Sequence, residues 1–195
     1  MLNAEQIIEK QLLKLEYSRG KAAQVGYDLS LKSVNKIGGG SLTLDKPARD
    51  ADEYYAAATE IIKQGRYTVG KVLKERTQLV NYSAVEMINL DGVRGYLLHP
   101  GVYDITFWEG CKIPANYVGL IRQRSSMLRN GTVLHSSVFD PGFETEFMGT
   151  VMAVNVPIFV EEDARVAQIY FHTCGEVAGE NLYNGQWQQD KQRNG

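Results

Sequence analysis

Arg124-Ser125-Ser126 and, fourteen residues after Ser126, Asp140-Pro141-Gly142-Phe143 are the residues whose types and spacing point to chemistry. The first group supplies a fixed guanidinium fork and two hydroxyls, which suit the oxygens of a polyanionic phosphate. The second supplies a carboxylate on a tight turn, which suits a water or a substrate hydroxyl as general base. Together they point to hydrolysis or remodelling of a nucleoside triphosphate. Each group also has a plain structural reading. Arg124-Ser125-Ser126 follows an apolar strand at 118–121 and opens a helical stretch. It therefore reads as an anion site at a helix start, or as a serine N-cap beside a surface arginine. Asp-Pro-Gly has the composition of a β-turn whatever else it does.

Other side chains belong to the same inventory. Gln168 stands on an otherwise apolar strand, where a half-buried amide must find a partner, either backbone or a ligand phosphate. Arg122 lies near Arg124, as a further cationic ligand or as a solvated strand residue. Asp28, beside Tyr27 on an early strand, is a candidate outer-shell metal carboxylate or a strand-end aspartate capping a loop. His99, His135 and His172 sit on separate segments and show no zinc-hydrolase spacing. A zinc-deaminase signature, a G-x-S-x-G elbow and a P-loop are all absent. Metal chemistry, where used, is expected to be Mg2+ held chiefly by substrate phosphates.

The elements that must position these residues are mostly strands. Ile7, Ile8, Leu12 and Leu15 recur at helical spacing and predict a short amphipathic helix over 3–15. A second helical pattern covers 47–64, with acidic residues in its early turns. Gly38-Gly39-Gly40-Ser41 reads as a flexible turn. Short strands are expected at 26–31, 67–69, 78–80, 84–88, 95–98, 103–107, 117–121, 132–134, 150–156 and 167–172. Turn residues separate them at the intervals of a sandwich or barrel. The reading is one mainly β domain over 1–195, with an N-terminal helix, an insertion at about 45–94 and a C-terminal tail at about 176–195.

Bulk composition narrows the class. At 195 residues with 44% apolar content, the chain can bury a sizeable core. Its net charge of −2 argues against a nucleic-acid partner. It has no apolar run of about 18 residues to span a membrane. Residues 1–14 lack a signal-peptide core. Cys111 and Cys174 are isolated and fit reduced thiols. The expectation is a soluble cytoplasmic protein.

These pieces, in this order, resemble the dUTPase / dCTP deaminase superfamily over most of 18–195. The resemblance rests on Gly26-Tyr27-Asp28-Leu29, Leu97-Leu98-His99-Pro100-Gly101 and Ile113-Pro114-Ala115. It continues through Arg124-Ser125-Ser126 with Arg129 and Gly131, the Asp140 turn, and Arg165-Val166-Ala167-Gln168-Ile169. It implies a distorted β-barrel or sandwich and a homotrimer with active sites shared between subunits. It further implies that Arg124, Ser125, Ser126 and Gln168 hold a deoxynucleoside triphosphate. Asp140 would act on the reacting water, and Phe143 would stack under the sugar.

The chain departs from the family pattern in three places. No carboxylate stands on the strand at 149–155, where the deaminase branch carries a glutamate. The 131–140 stretch is about two residues short and 144–148 about two long. The Gly-rich C-terminal motif of dUTPases is replaced by Tyr183-Asn184-Gly185-Gln186-Trp187, which could close as a lid. The favoured expectation is a dUTP diphosphatase using Mg2+. The alternatives are a dCTP deaminase, bifunctional or not, and a nucleotide-binding regulator without turnover.

Overall fold

The computed structural model describes residues 1–42 and 78–184. The expected helix at 47–64, the strand at 67–69, most of the 45–94 insertion and the tail beyond 184 lie outside the described residues. The chain divides into two compact units, one of Met1–Val34 with Val85–Gly195, the other of Asn35–Ala84.

The N-terminal helix is shorter than its apolar spacing predicts. α1 (Ala4–Glu9) is closed by a capping box in which Asn3 Oδ1 accepts from Gln6 N at 2.9 Å and Gln6 Oε1 accepts from Asn3 N at 3.0 Å. It ends because Gln11 takes a left-handed φ of 53°, which no helix continues through. Leu12, expected on the helix face, is instead buried just ahead of β1 (Leu13–Lys14), where Leu13 is buried as well.

The rest of the described chain is strand-rich, so the mainly β expectation holds. β2 (Lys21–Ala22), β3 (Tyr27–Leu42), β4 (Gln78–Ala84), β5 (Ile88–Leu90), β6 (Val93–Leu98) and β7 (Gly101–Phe107) come first. β8 (Gly110–Lys112) and β9 (Tyr117–Gln123) lead to α2 (Ser125–Arg129). Then follow β10 (Thr132–His135), β11 (Val138–Phe139), β12 (Glu144–Thr145), β13 (Gly149–Val154), β14 (Ile158–Glu161) and β15 (Arg165–Thr173). The long sheet runs β10-β13-β7-β3-β15-β9-β11, with smaller sheets β1-β8-β12 and β14-β6-β5. β13 alternates strictly between buried and partly exposed positions, and β9 does so from Tyr117 to Ile121, the signature of strands with one face on a core. That core includes Phe107, Phe171, Leu29, Leu31, Ile105, Ile121, Met152 and Ile169, each essentially without solvent contact.

Two expectations of the strand map are corrected. Gly38-Gly39-Gly40-Ser41 is no separate turn; it lies within β3, which pairs with β4 in the second unit through a register shift between Ile37 and Gly40. Glycine's permissive backbone lets a strand carry such an irregularity. The strand expected at 84–88 is broken, because β4 ends at Ala84 and β5 starts at Ile88.

One buried acid organises the start of β3. Glu109 is inaccessible to solvent, and its Oε1 accepts from Ser18 Oγ (2.6 Å), Ser30 Oγ (2.8 Å) and Gly20 N (2.9 Å). Its Oε2 accepts from Ser30 N at 2.9 Å. Four donors on one carboxylate replace the water it has lost. Together they staple residues 18–20 over β3, and a Cβ at Gly20 would stand 2.0 Å from the Asp28 carbonyl oxygen. Only glycine fits there, so the sequence fixes how closely this segment approaches Asp28.

Candidate active site

Register places the first candidate group at one end of β9. β15 pairs with β3 at Gln168↔Asp28 and with β9 at Gln168↔Arg122, so these three residues share a row and a face across three strands. Arg124 follows β9 immediately, its backbone N–H bonded to Val166 O at 3.1 Å. Its guanidinium pairs through Nη1 with Asp28 Oδ2, and Arg165 Nη1 stands 3.4 Å from the same oxygen. The Asp28 side chain is only 11% exposed, against 32% for Arg124 and 40% for Arg165. Two guanidinium charges on one carboxylate leave a surplus positive charge. The exposed Ser125 and Ser126 follow directly on α2. Met127, buried beneath them, and its carbonyl's bond from Thr132 Oγ1 at 2.8 Å anchor that helix. Arg124 occupies the N-cap position without a side-chain cap bond, so the serines are in the first turn and are not the cap.

Arg165 was not among the residues singled out for chemistry, and the reason is geometric. Arg165 and Gln168 are three apart and would face opposite sides of a regular strand. β15 carries a register shift between Arg165 and Ala167, with Val166 and Ala167 both buried in succession. The extra residue turns Arg165 onto the face of Asp28 and Gln168. Gln168 itself donates Nε2 to Val25 O at 2.8 Å, so its partner here is backbone.

The second group lies elsewhere. Asp140-Pro141-Gly142-Phe143 is a turn with Phe143 N bonded to Asp140 O at 3.0 Å and Gly142 at φ 88°, the position that requires glycine in a type II turn. It is pinned from outside by Gly142 N to Ile113 O (2.8 Å) and Tyr183 N to Pro141 O (2.8 Å). Asp140 is exposed. Phe143 is buried, its ring 5.4 Å from Phe139 and 5.2 Å from Tyr183. Within one chain it is therefore a packed support of the turn, with Tyr183 against its ring.

The two groups do not meet within one chain. β11 pairs with β9 at Val138↔Leu120 and Phe139↔Gly119, which sets Asp140 level with Val118. Arg124 lies six residues further along, about 20 Å at roughly 3.3 Å per strand residue. The structure thus assembles Asp28, Arg124, Arg165, Gln168 and the two serines at one end of β9, and Asp140 with Phe143 at the other.

Other expectations resolve as follows. β13 carries no carboxylate on either face. Glu144 and Glu146, the nearest acids after the turn, belong to a lysine cluster. Glu144 lies 2.9 Å from Lys14 and 3.5 Å from Lys112, and Glu146 also pairs with Lys14. The hydrogen bond from Lys14 is the largest cause holding the Glu144 carboxyl below its ordinary range. The side chain of Gln123 bridges to β10, donating to Thr132 O (3.0 Å) and accepting from Leu134 N (2.6 Å), so the shortened hairpin is tied to β9. Among the described residues no cluster of three His, Cys, Asp or Glu could hold a metal ion. Asp28, the candidate outer-shell ligand, has one carboxylate oxygen engaged by two arginines. Cys111 is buried and Cys174 partly exposed, and no described helix is long and apolar enough to cross a membrane.

A protein-family description, dCTP deaminase-like, matches residues 3–174. A deoxyuridine 5'-triphosphate nucleotidohydrolase of Methanocaldococcus jannaschii is 39% identical over 115 residues, covering 57% of this chain and 70% of that protein. A probable deoxyuridine 5'-triphosphate nucleotidohydrolase of Halobacterium salinarum is 36% identical, covering 48% of this chain and 54% of that protein. A dUMP-forming dCTP deaminase of Methanosphaera stadtmanae is 30% identical, covering 51% of each chain. Apart from the first, the chain spans about half the length of these relatives.

Proposed function

The chain belongs to the dCTP deaminase-like family, and from that premise we propose that it hydrolyses dUTP to dUMP and pyrophosphate. The observation that carries the choice of hydrolysis over deamination is β13, which offers no carboxylate to shuttle the proton that a zinc-free deamination needs. The relatives named as dUTP nucleotidohydrolases support the same reading.

The triphosphate is bound at the Arg124 end of β9, where the guanidinium fork and the Ser125 and Ser126 hydroxyls meet its oxygens. Gln168 reaches the same oxygens once it leaves the Val25 carbonyl. Asp140 of the partner subunit faces that end in a homotrimer with shared sites, since about 20 Å of strand separates the two groups within one chain. Asp140 accepts a proton from a water as its oxygen bonds to the α-phosphorus. The α–β bridging bond breaks, and pyrophosphate leaves against the positive charge of Arg124. Mg2+, held by the substrate's phosphates and waters with Asp28 at most in the outer shell, supplies further charge neutralisation when bound. Phe143 contacts the sugar only if Tyr183 moves from its ring. The setting is cytoplasmic, without nucleic-acid or membrane partners.

The test is a parallel assay of dUTP, dCTP and the other dNTPs with Mg2+, scoring pyrophosphate and ammonia. Pyrophosphate from dUTP, lowered at least about a hundredfold by Asp140→Asn, is the expected result. Ammonia from dCTP would favour the second reading, a dUMP-forming deaminase, which the Methanosphaera relative supports. Nucleotide binding without any product would leave a regulator.

A further inference from the structure

Asp28 is a nearly buried carboxylate whose Oδ2 is shared by two guanidinium groups, and the proposed reaction needs only one of them to leave. If Arg124 turns to a phosphate, Asp28 must keep a partner or stand as an unpaired charge in a low-dielectric place. We propose that Arg165 is a positioning residue, the standing partner of Asp28 that releases Arg124 to the substrate's phosphates. This deepens the nucleotide-hydrolase reading and rests on its placement of the triphosphate.

The two arginines are not equivalent. Arg165 lies within β15, in register with Ser30 of β3, and the β-bulge that follows puts it on the face of Asp28, its Nη1 3.4 Å from Oδ2. Ser30 is in turn held by Glu109 through both its backbone N–H and its hydroxyl. Arg124 stands past the last paired residue of β9, beside the exposed Ser125 and Ser126, where the chain leaves the sheet. One arginine is built into the sheet and the other is set at its rim. The other cation brought near is Lys21, opposite Asp28 in the β2–β3 register, on an exposed strand. It makes no ion pair with that carboxylate, whose cationic partners among the described residues are Arg124 and Arg165. Arg19 is directed instead to Asp163, at 3.8 Å. Arg165 is therefore the cation placed to hold Asp28 while Arg124 binds.

The consequence is a coupling between Arg165 and Asp28 that neither direct phosphate contact nor simple packing produces. In Arg165→Gln, Asp28 holds Arg124 as its main partner, and affinity for a triphosphate falls. Removing the Asp28 charge in that background frees Arg124 again. The experiment is a double-mutant cycle over wild type, Arg165→Gln, Asp28→Asn and the double variant. Binding of inorganic tripolyphosphate is measured by calorimetry, and KM and kcat for dUTP are measured in parallel. Expected is about tenfold weaker tripolyphosphate binding in Arg165→Gln, with KM rising more than kcat falls. The double variant should return to within about threefold of wild type, while Asp28→Asn alone changes affinity much less than it does in the Arg165→Gln background.

Additive effects, in which Asp28→Asn strengthens binding equally in both backgrounds, would overturn the proposal, because Arg165 would then be acting as an independent charge. Absence of tripolyphosphate binding to wild type would overturn it too. Arg165→Lys, which keeps the charge, guards against a folding defect and should bind close to wild type; weak binding by a folded Arg165→Lys would count against the proposal. An intact coupling in tripolyphosphate binding, with no dNTP hydrolysed by wild type, would sink the enzymatic reading and leave this inference standing.

Discussion

The two ends of β9 are made by different physics. At the Arg124 end, Asp28, Arg124 and Arg165 come from three distant stretches and meet because β3, β15 and β9 pair in one register. Their charges are partly satisfied and leave a positive surplus. At the Val118 end, Asp140 is presented by four consecutive residues folded into a turn and pinned by backbone bonds. The first end is suited to hold an anion and the second to handle a proton. Neither contains the other; in the proposed homotrimer a second copy of the chain would supply the missing half of each site.

The largest expected effect tests that separation directly. Asp140→Asn should lower kcat by about 10²–10⁴-fold, as expected for loss of a positioned base, with little change in phosphate affinity. Arg124→Ala should impair binding as well as turnover. Each variant alone should be nearly inactive, yet unfolding and refolding an equal mixture should restore activity. Random assortment pairs an intact Arg124 with an intact Asp140 of the partner subunit in about one quarter of shared sites. A mixture that stays inactive would mean that both residues act within one chain, and the comparison of the two ends would fall.

A smaller effect should fall on one end only. Glu109→Gln keeps the side chain's size but replaces one acceptor oxygen of the staple with a donor facing donors. The expected loss is about 2 kcal/mol, which for a chain of this size lowers Tm by roughly 2–4 °C per kcal/mol. Because the staple grips β3 beside Asp28, KM for dUTP should rise more than kcat falls. Equal loss of both would show that Glu109 supports the whole fold and not the anion end in particular.

The contrast between the ends also decides what could be read from sequence. Asp140-Pro141-Gly142 was legible because a turn is a local object: aspartate, proline and glycine each fit one backbone position. Arg124-Ser125-Ser126 was legible as a group, since apolar periodicity ends just before it. Arg165 was not, because strict alternation puts it on the wrong face and the bulge that corrects this is set by pairing with β3. Glu109 was missed for a related reason: an acid beside Trp108 and Gly110 looks like a turn residue until Ser18, Gly20 and Ser30 are brought to it. The overlong N-terminal helix was an error of periodicity, which continues smoothly through Gln11 while the backbone does not. In each miss the deciding contact is distant in sequence or lies in a backbone angle.

The smallest effect sharpens the reactive end by asking which of its acids matters. Glu144 stands only four residues after Asp140, yet its carboxylate faces Lys14 and Lys112 on the β1-β8-β12 sheet. Its pKa is lowered in the folded state, first by the hydrogen bond from Lys14. The stabilisation it gives is therefore fully present above its unfolded value and is lost as pH falls through the folded value. Since these side chains are partly solvated, the contribution is under about 1 kcal/mol. Glu144→Gln should thus lower stability slightly at neutral pH, with the difference from wild type closing as the pH is taken below the carboxylate range. Activity toward dUTP should be unchanged. The measurement is Tm against pH for both proteins, with kcat at neutral pH beside it. A kcat loss approaching that of Asp140→Asn would place two working carboxylates at this end. The lysine cluster would then have to be counted as part of the site.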